Sequence, residues 1–298
     1  MDRTGYQGPI KAVVIDWAGS AVDYGCMGPV GVFINIFNAY QIRVTRQEAR
    51  QFMGLAKKDH IRSMCGLESV KRQWQDVYKR FPTEKDVDIL YDKTSAGMIK
   101  AIVDHSEPIP GVLAAIAGMR EMGIKIGSST GYTREMMDVL APLAREKGYA
   151  PDAVVCSSDV PKGRPFPWMC YQNAILLETY PMEAMVKIGD TLADIEEGLN
   201  AGMWTIGITK TGNELGMTEK EVQELEPQDL RSRLKEIESK FMTAGAHFVV
   251  ESLDDCVPVI EKINLRLANP VRILKASTPP SKGNGTKDLV LYRLRPWN

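Results

Sequence analysis

The 298-residue chain has five cysteines, an odd and dispersed set with no Cys-x-x-Cys pair. That excludes a disulfide framework and a zinc ribbon, and it fits reduced thiols in a cytoplasmic protein. No apolar run approaches the ~18–20 residues that cross a bilayer, and the first residues carry no signal-peptide core, so no membrane partner is expected. Neither sign of charge is in excess: 37 basic and 38 acidic side chains leave −1, and no basic field for nucleic acid. Aromatic residues are only 7%, yet the chain is 44% apolar with 25 glycines and 17 prolines. This is ordinary globular composition, long enough for one large domain or two modest ones.

Lys11-Ala-Val-Val-Ile-Asp16 reads as a buried strand ending on an acid, with a turn at Gly19. From about 28 to 105 the pattern is helical throughout. Val30, Phe33, Ile34 and Phe37 recur at helical spacing, Thr45 and Glu48 form a potential capping box, and Thr83 to Asp86 opens another helix. Pro108-Ile-Pro-Gly111 closes that block. Strands at 124–128, 153–156, 185–188 and 204–208 then alternate with helices near 111–122 and from about 133, 166 and 191. A helix around 229–241 and a last strand at 247–250 follow.

This order predicts an α/β fold, a Rossmann-like parallel sheet core with an inserted helical cap domain. The core takes 8–21 and 108–268, and the cap takes 22–107. Residues 269–298, rich in Pro, Ser, Lys and Gly, read as a disordered tail.

Such sheets carry their functional groups at the carboxyl ends of the strands. Those ends supply Asp16, then Ser128-Ser-Thr130-Gly131, then Lys162 and Arg164, then Gly189-Asp190-Thr-Leu-Ala-Asp194. Two carboxylates with a backbone carbonyl make an oxygen site suited to Mg²⁺. Thr130 and a bidentate Arg164 match the oxygens of a phosphoryl group, and Asp16 is placed to attack it. Lys162 reads as outer or surface.

These segments resemble the haloacid dehalogenase-like hydrolases, with the cap inserted after the first motif. The phosphatase form of that motif is Asp-x-Asp, its second acid protonating a leaving alkoxide; here the position is Ala18. A leaving group other than an alkoxide removes the need for that acid. Met53-Gly-Leu-Ala-Lys57-Lys-Asp-His60 supplies an alternative, an amine that forms a Schiff base with an aldehyde and withdraws electrons from a neighbouring C–P bond.

The joint pattern over about residues 8–265 resembles the phosphonoacetaldehyde hydrolases (phosphonatases). It rests on Asp16-Trp-Ala-Gly-Ser20, the Met53–His60 segment, Gly127–Glu135, Gly163–Cys170, Gly189–Asp194 and Gly245–Phe248. The resemblance implies cleavage of phosphonoacetaldehyde to acetaldehyde and phosphate in 2-aminoethylphosphonate degradation. Asp16 is then the nucleophile and Lys57 the Schiff-base amine. One Mg²⁺ per subunit is held by Asp16, the Ala18 carbonyl and Asp190, while Thr130 and Arg164 bind the phosphoryl group. Cys26, Met53, His60 and Tyr132 surround the lysine and aldehyde. By its own spacing, three residues beyond Lys57 on one helical face, His60 reads as a proton shuttle in preference to a packed helix histidine. Ser20, Gly131 and Asp194 support the site; Ser20 stands where the family usually has Thr. A homodimer through the cap is also implied.

Lys58 is adjacent to Lys57, so a shift of one residue in register would move the amine. It reads as a solvated neighbour that depresses the Lys57 pKa. Two other functions fit the strand-end residues: a capped phosphatase or dehalogenase using Asp16 without the lysine, and a non-catalytic phospho-accepting regulator.

Overall fold

A computed structural model describes residues 5–269. The predicted tail falls outside the described residues, apart from Asn269. Strand β1 (Ala12–Ile15) is four apolar residues, all buried, the composition of a central parallel strand covered on both faces. Its side chains alternate between two cores. Val13 and Ile15 join the large cluster that includes Ile116, Met119 and Ile260, whereas Ala12 and Val14 pack with Cys170, Ala174 and Leu177.

Helices α1 (Met27–Ala39), α2 (Arg46–Arg50), α3 (Lys57–Cys65), α4 (Glu68–Tyr78) and α5 (Glu84–Asp104) follow, with no strand among the described residues of this stretch. The Thr45/Glu48 capping box forms, and Thr83 and Asp86 make another at the start of α5. Val30, Phe33 and Phe37 lie buried along α1, which packs on α5 and α2, and Phe33 stacks on His60 of α3. Val22 and Pro108 pair as an isolated bridge, so the helical block leaves and rejoins the sheet region side by side.

The remainder alternates as expected: α6 (Val112–Glu121), β2 (Lys125–Thr130), α7 (Arg134–Glu146), β3 (Ala153–Cys156), α8 (Trp168–Leu176), β4 (Met185–Gly189), α9 (Leu192–Ala201) and β5 (Trp204–Ile208). Then come α10 (Glu219–Glu224), α11 (Pro227–Thr243), β6 (Phe248–Val250) and α12 (Cys256–Ala268). The last helix is absent from the sequence reading, although Cys256, Val259, Ile260, Ile263 and Leu267 sit at helical spacing and are buried.

All six strands are parallel, in the order β3-β2-β1-β4-β5-β6. The connections from β1 and β4 leave in opposite directions, which opens a crevice at their carboxyl ends. In register, Ile15 stands beside Ser128 and Ile188, and the Asp16 N–H donates to the Ile188 carbonyl at 2.9 Å. Asp16 and Asp190 therefore emerge together. All five cysteines are free and buried, and no helix of the described residues is long and apolar enough to cross a membrane.

Candidate active site

Arg164 organises the crevice. Its Nη2 lies 2.6 Å from Asp16 Oδ1 and 3.1 Å from Asp194 Oδ1, and donates to the Ser129 carbonyl and hydroxyl at 2.8 and 3.0 Å. Its Nε meets Glu197 Oε2 at 2.9 Å, and its Nη1 donates to the Gly54 carbonyl at 3.3 Å. Both Nη groups and Nε thus have partners, which fixes the guanidinium plane. Asp194 is divided between two tasks. One oxygen closes a capping box with Thr191 at the start of α9, and the other faces Arg164 and Lys187.

Asp190 accepts from the Ser20 hydroxyl at 2.9 Å and from the Asn213 N–H at 2.7 Å. Gly19 and Gly212 permit this approach, because a side chain at either would run into the Asp190 side chain, at its carboxylate from Gly19 and at its Cβ from Gly212. Oxygens of Asp16, Asp190 and Asp194 lie within 4.8 Å of one another, and all three residues are buried. Burial pushes the Asp190 carboxyl well above its usual range, with Asp16 and Asp194 adding to the effect. Burial also raises Asp16, against the opposing pull of Arg164. Asp194 is desolvated as well, but Arg164 and Lys187 hold it below the ordinary carboxylate range.

Lys57 approaches from the helical block as the first residue of α3, only 5% exposed. Burial pulls its amine down to about 8, against the raising influence of Cys26 and Asp16. The helix N-terminus acts in the same direction as burial, since its partial positive charge disfavours a cation. Nζ lies 4.6 Å from the centroid of the Tyr132 ring. Amine and carboxylate face one small pocket, whose wall also includes Ala18, Cys26, Met53, Thr130, Gly131 and Arg164.

A family profile of haloacid dehalogenase-like hydrolases matches residues 10–202. A phosphonoacetaldehyde hydrolase-like protein of Syntrophobacter fumaroxidans is 57% identical over 267 residues, 90% of this chain and 96% of the relative. A phosphonoacetaldehyde hydrolase of the same organism is 57% identical over 87% of this chain and 94% of its own length. The crystal structure of a phosphonoacetaldehyde hydrolase-like protein from Oleispira antarctica superposes with TM-score 0.89 at 37% identity, covering 91% of this chain and 98% of that one. The chain belongs to the phosphonoacetaldehyde hydrolase family of haloacid dehalogenase-like hydrolases.

Nine of the residues singled out in the sequence line the pocket of this hydrolase: Asp16, Ala18, Cys26, Met53, Lys57, Thr130, Gly131, Tyr132 and Arg164. Ser20, Asp190 and Asp194 lie behind it, in the hydrogen-bond network just described. His60 departs from expectation. One turn along α3 carries it away from the pocket wall and under Phe33, with ring centroids 4.0 Å apart. Its Nε2 meets the Ala49 carbonyl at 2.8 Å, while Nδ1 has no partner. Burial lowers its pKa to about 3, and the ring stays neutral at physiological pH.

Lys58 also differs from the reading. It turns outward to Asp88 at 2.5 Å, and the leading cause of the Lys57 shift is burial of Lys57 itself. Lys162 is exposed and lies over the Phe166 ring.

Two buried charged residues escaped the sequence reading, Lys187 and Glu197. Lys187 Nζ is 2.6 Å from Asp194 and 3.6 Å from Glu197. A lysine inside the apolar run Met185–Gly189 is itself a signal, because a charged residue in a buried strand requires a partner. Glu197 lies one turn beyond Asp194 on α9 and so faces the same way.

Proposed function

We propose that the chain hydrolyses the carbon–phosphorus bond of phosphonoacetaldehyde, releasing acetaldehyde and phosphate. The observation that carries this reading is a buried amine, with its pKa lowered to about 8, facing the Asp16 carboxylate across one pocket that has alanine at position 18. Lys57 in its neutral form adds to the aldehyde carbon and expels water, and the protonated imine becomes an electron sink. Asp16 attacks phosphorus in line with the C–P bond. As the new P–O bond forms, the C–P electron pair moves into an enamine on Lys57. No acid at position 18 is needed, because carbon leaves as an enamine and not as an alkoxide.

Protonation of the enamine carbon gives the acetaldehyde imine, and water releases acetaldehyde and the free lysine. A further water hydrolyses the aspartyl phosphate. One water is lost and two are gained, a net hydrolysis. Thr130 and Arg164 bind the phosphoryl oxygens, with Gly131 beside them. Arg164 also holds Asp16 in place, as its 2.6 Å contact supports. Cys26, Met53 and Tyr132 enclose the aldehyde. His60 acts from behind Lys57 and makes no substrate contact in this reading.

The site's own charges fit a divalent cation. Asp16, Asp190, Asp194 and Glu197 are buried against only two buried cations, Arg164 and Lys187, before Lys57 is counted. Such an excess of carboxyl groups in a dry interior is relieved either by a proton, as the raised Asp190 shows, or by a cation that lets the acids ionise. Asp16, Asp190 and the Ala18 carbonyl would hold Mg²⁺, with Asp194 and Ser20 supporting them. When bound, the ion would supply charge neutralisation for a phosphoryl dianion meeting a carboxylate.

The helical block 22–107 serves as a cap over the core formed by 8–21 and 108–268. A cytoplasmic homodimer through the cap belongs to the same reading. The aldehyde substrate is what transamination of 2-aminoethylphosphonate yields, which places the reaction in breakdown of that compound.

The test is phosphate release from phosphonoacetaldehyde, with and without EDTA, coupled to borohydride reduction in the presence of substrate. A two-carbon adduct on Lys57 is expected. An adduct on Lys58, or activity retained by Lys57→Arg, overturns the mechanism.

A further inference from the structure

The turn that delivers Lys57 begins at Arg50, the last residue of α2. The Arg50 carbonyl accepts from the Met53 N–H at 3.0 Å. The chain then passes Gly54, whose positive φ of 89° sets it against Thr191, and reaches Lys57. On the sheet side, the loop after β5 presents Asn213, 3% exposed. Both ends of its amide face Arg50. Arg50 Nη1 donates to Asn213 Oδ1 at 3.2 Å, and Asn213 Nδ2 donates to the Arg50 carbonyl at 3.2 Å. The same Nη1 donates to the Gly25 carbonyl at 2.7 Å, on the segment that leaves the sheet for α1. The backbone of Asn213, meanwhile, donates to Asp190 Oδ2 at 2.7 Å.

One residue therefore grips an active-site carboxylate with its main chain and the lysine-bearing turn with its side chain. We propose that Arg50 and Asn213 form a latch that sets the distance between Lys57 and Asp16, with Arg50 as a positioning residue outside the pocket. The inference rests on the reading that both groups act on one substrate. Amine and carboxylate arise from segments that share no secondary structure, so their spacing depends on how the helical block seats on the sheet. A misplacement of about 1 Å in such a pair is enough to cost ~100-fold in rate. The latch has a defined chemistry. It needs a donor and an acceptor at position 213 together, which an amide has and a carboxylate lacks. Asn213→Asp would set an acceptor against the Arg50 carbonyl and add negative charge beside Asp190.

The experiment uses the full chain with Arg50→Gln, Asn213→Ala and the double variant; Asn213→Ala keeps the backbone N–H to Asp190. Three quantities are read: kcat and KM for phosphate release, the rate at which trinitrobenzenesulfonate modifies Lys57 without substrate, and the thermal midpoint. Each single variant is expected to lower kcat by about tenfold or more, the range of one hydrogen bond to a charged group, with KM changed less than about twofold. The double variant should be no worse than the poorer single one, and Lys57 should be modified several-fold faster. Wild-type kcat together with wild-type protection of Lys57 in a folded single variant overturns the latch, as does independent multiplication of the two effects. Should the wild-type chain not cleave phosphonoacetaldehyde, the functional reading fails on its own. Protection of Lys57 in the variants then still decides the latch.

Discussion

Lys187 Nζ lies 2.6 Å from Asp194 Oδ1, and both side chains are completely withdrawn from solvent. This pair underlies Arg164, since Asp194 and Glu197 each contact both cations. Removing one member strands the rest. Lys187→Met should destabilise the fold by about 3–5 kcal/mol, the usual cost of leaving a buried charge uncompensated. Lys187→Met with Glu197→Gln should recover part of that loss. Urea denaturation of the four proteins measures the coupling, and strict additivity would contradict it.

Lys57 gives stability a pH dependence of definite sign. Its folded pKa of about 8 lies below that of an unfolded lysine, so the unfolded chain binds more protons between the two values. Stability from this group therefore rises between about pH 8 and pH 10.4, and its cost is complete below pH 8. Lys57→Met should accordingly gain about 2–4 kcal/mol at pH 7 and lose that advantage above pH 10. Thermal melts of both proteins across this window test it.

The same amine shapes the rate profile. If the neutral form is the nucleophile, as proposed, kcat/KM should rise with pH through a limb near 8, the value that burial sets. A limb near 10.5, the unperturbed lysine range, would show that burial does not activate Lys57 in solution.

Ala18→Asp restores an acid two residues after Asp16. Under the proposed mechanism carbon–phosphorus cleavage should not improve, because an enamine leaves without a proton, and Lys57→Arg should stay inactive with or without the added acid. Phosphate release by Ala18→Asp/Lys57→Arg from phosphonoacetaldehyde would be fatal to the mechanism.

Binding of Mg²⁺ should raise the melting temperature by relieving repulsion among the buried acids. A hundredfold excess over Kd corresponds to about 2.7 kcal/mol. Asp190→Asn should abolish most of that rise, and an equal rise in the variant would move the ion elsewhere.

The sheet was legible because its signals are local. β1, β3 and β5 are short apolar runs, and Thr45, Thr83, Thr133, Thr191 and Thr218 each cap the following helix with their own side chains or a reciprocal acid. Reading the strand ends in order brought Asp16, Thr130, Arg164 and Asp190 together, because a parallel sheet sends every carboxyl end to one rim. Ala18 and Lys57, which the sequence connects only through the proposed chemistry, line the same pocket.

Long-range packing decided the rest. His60 shares a helical face with Lys57, yet the position of Phe33 and Ala49 determines that it stacks behind the pocket. Nothing local distinguishes Lys57 from Lys58; only docking of α3 on the sheet buries one amine and leaves its neighbour to Asp88. Arg50 and Asn213 lie 163 residues apart and meet only once the helical block is seated. Periodicity and capping act within a few residues, and so the sequence alone determines them. Burial, and the proton affinity that follows from it, depends on which distant surfaces exclude water, and that belongs to the folded chain.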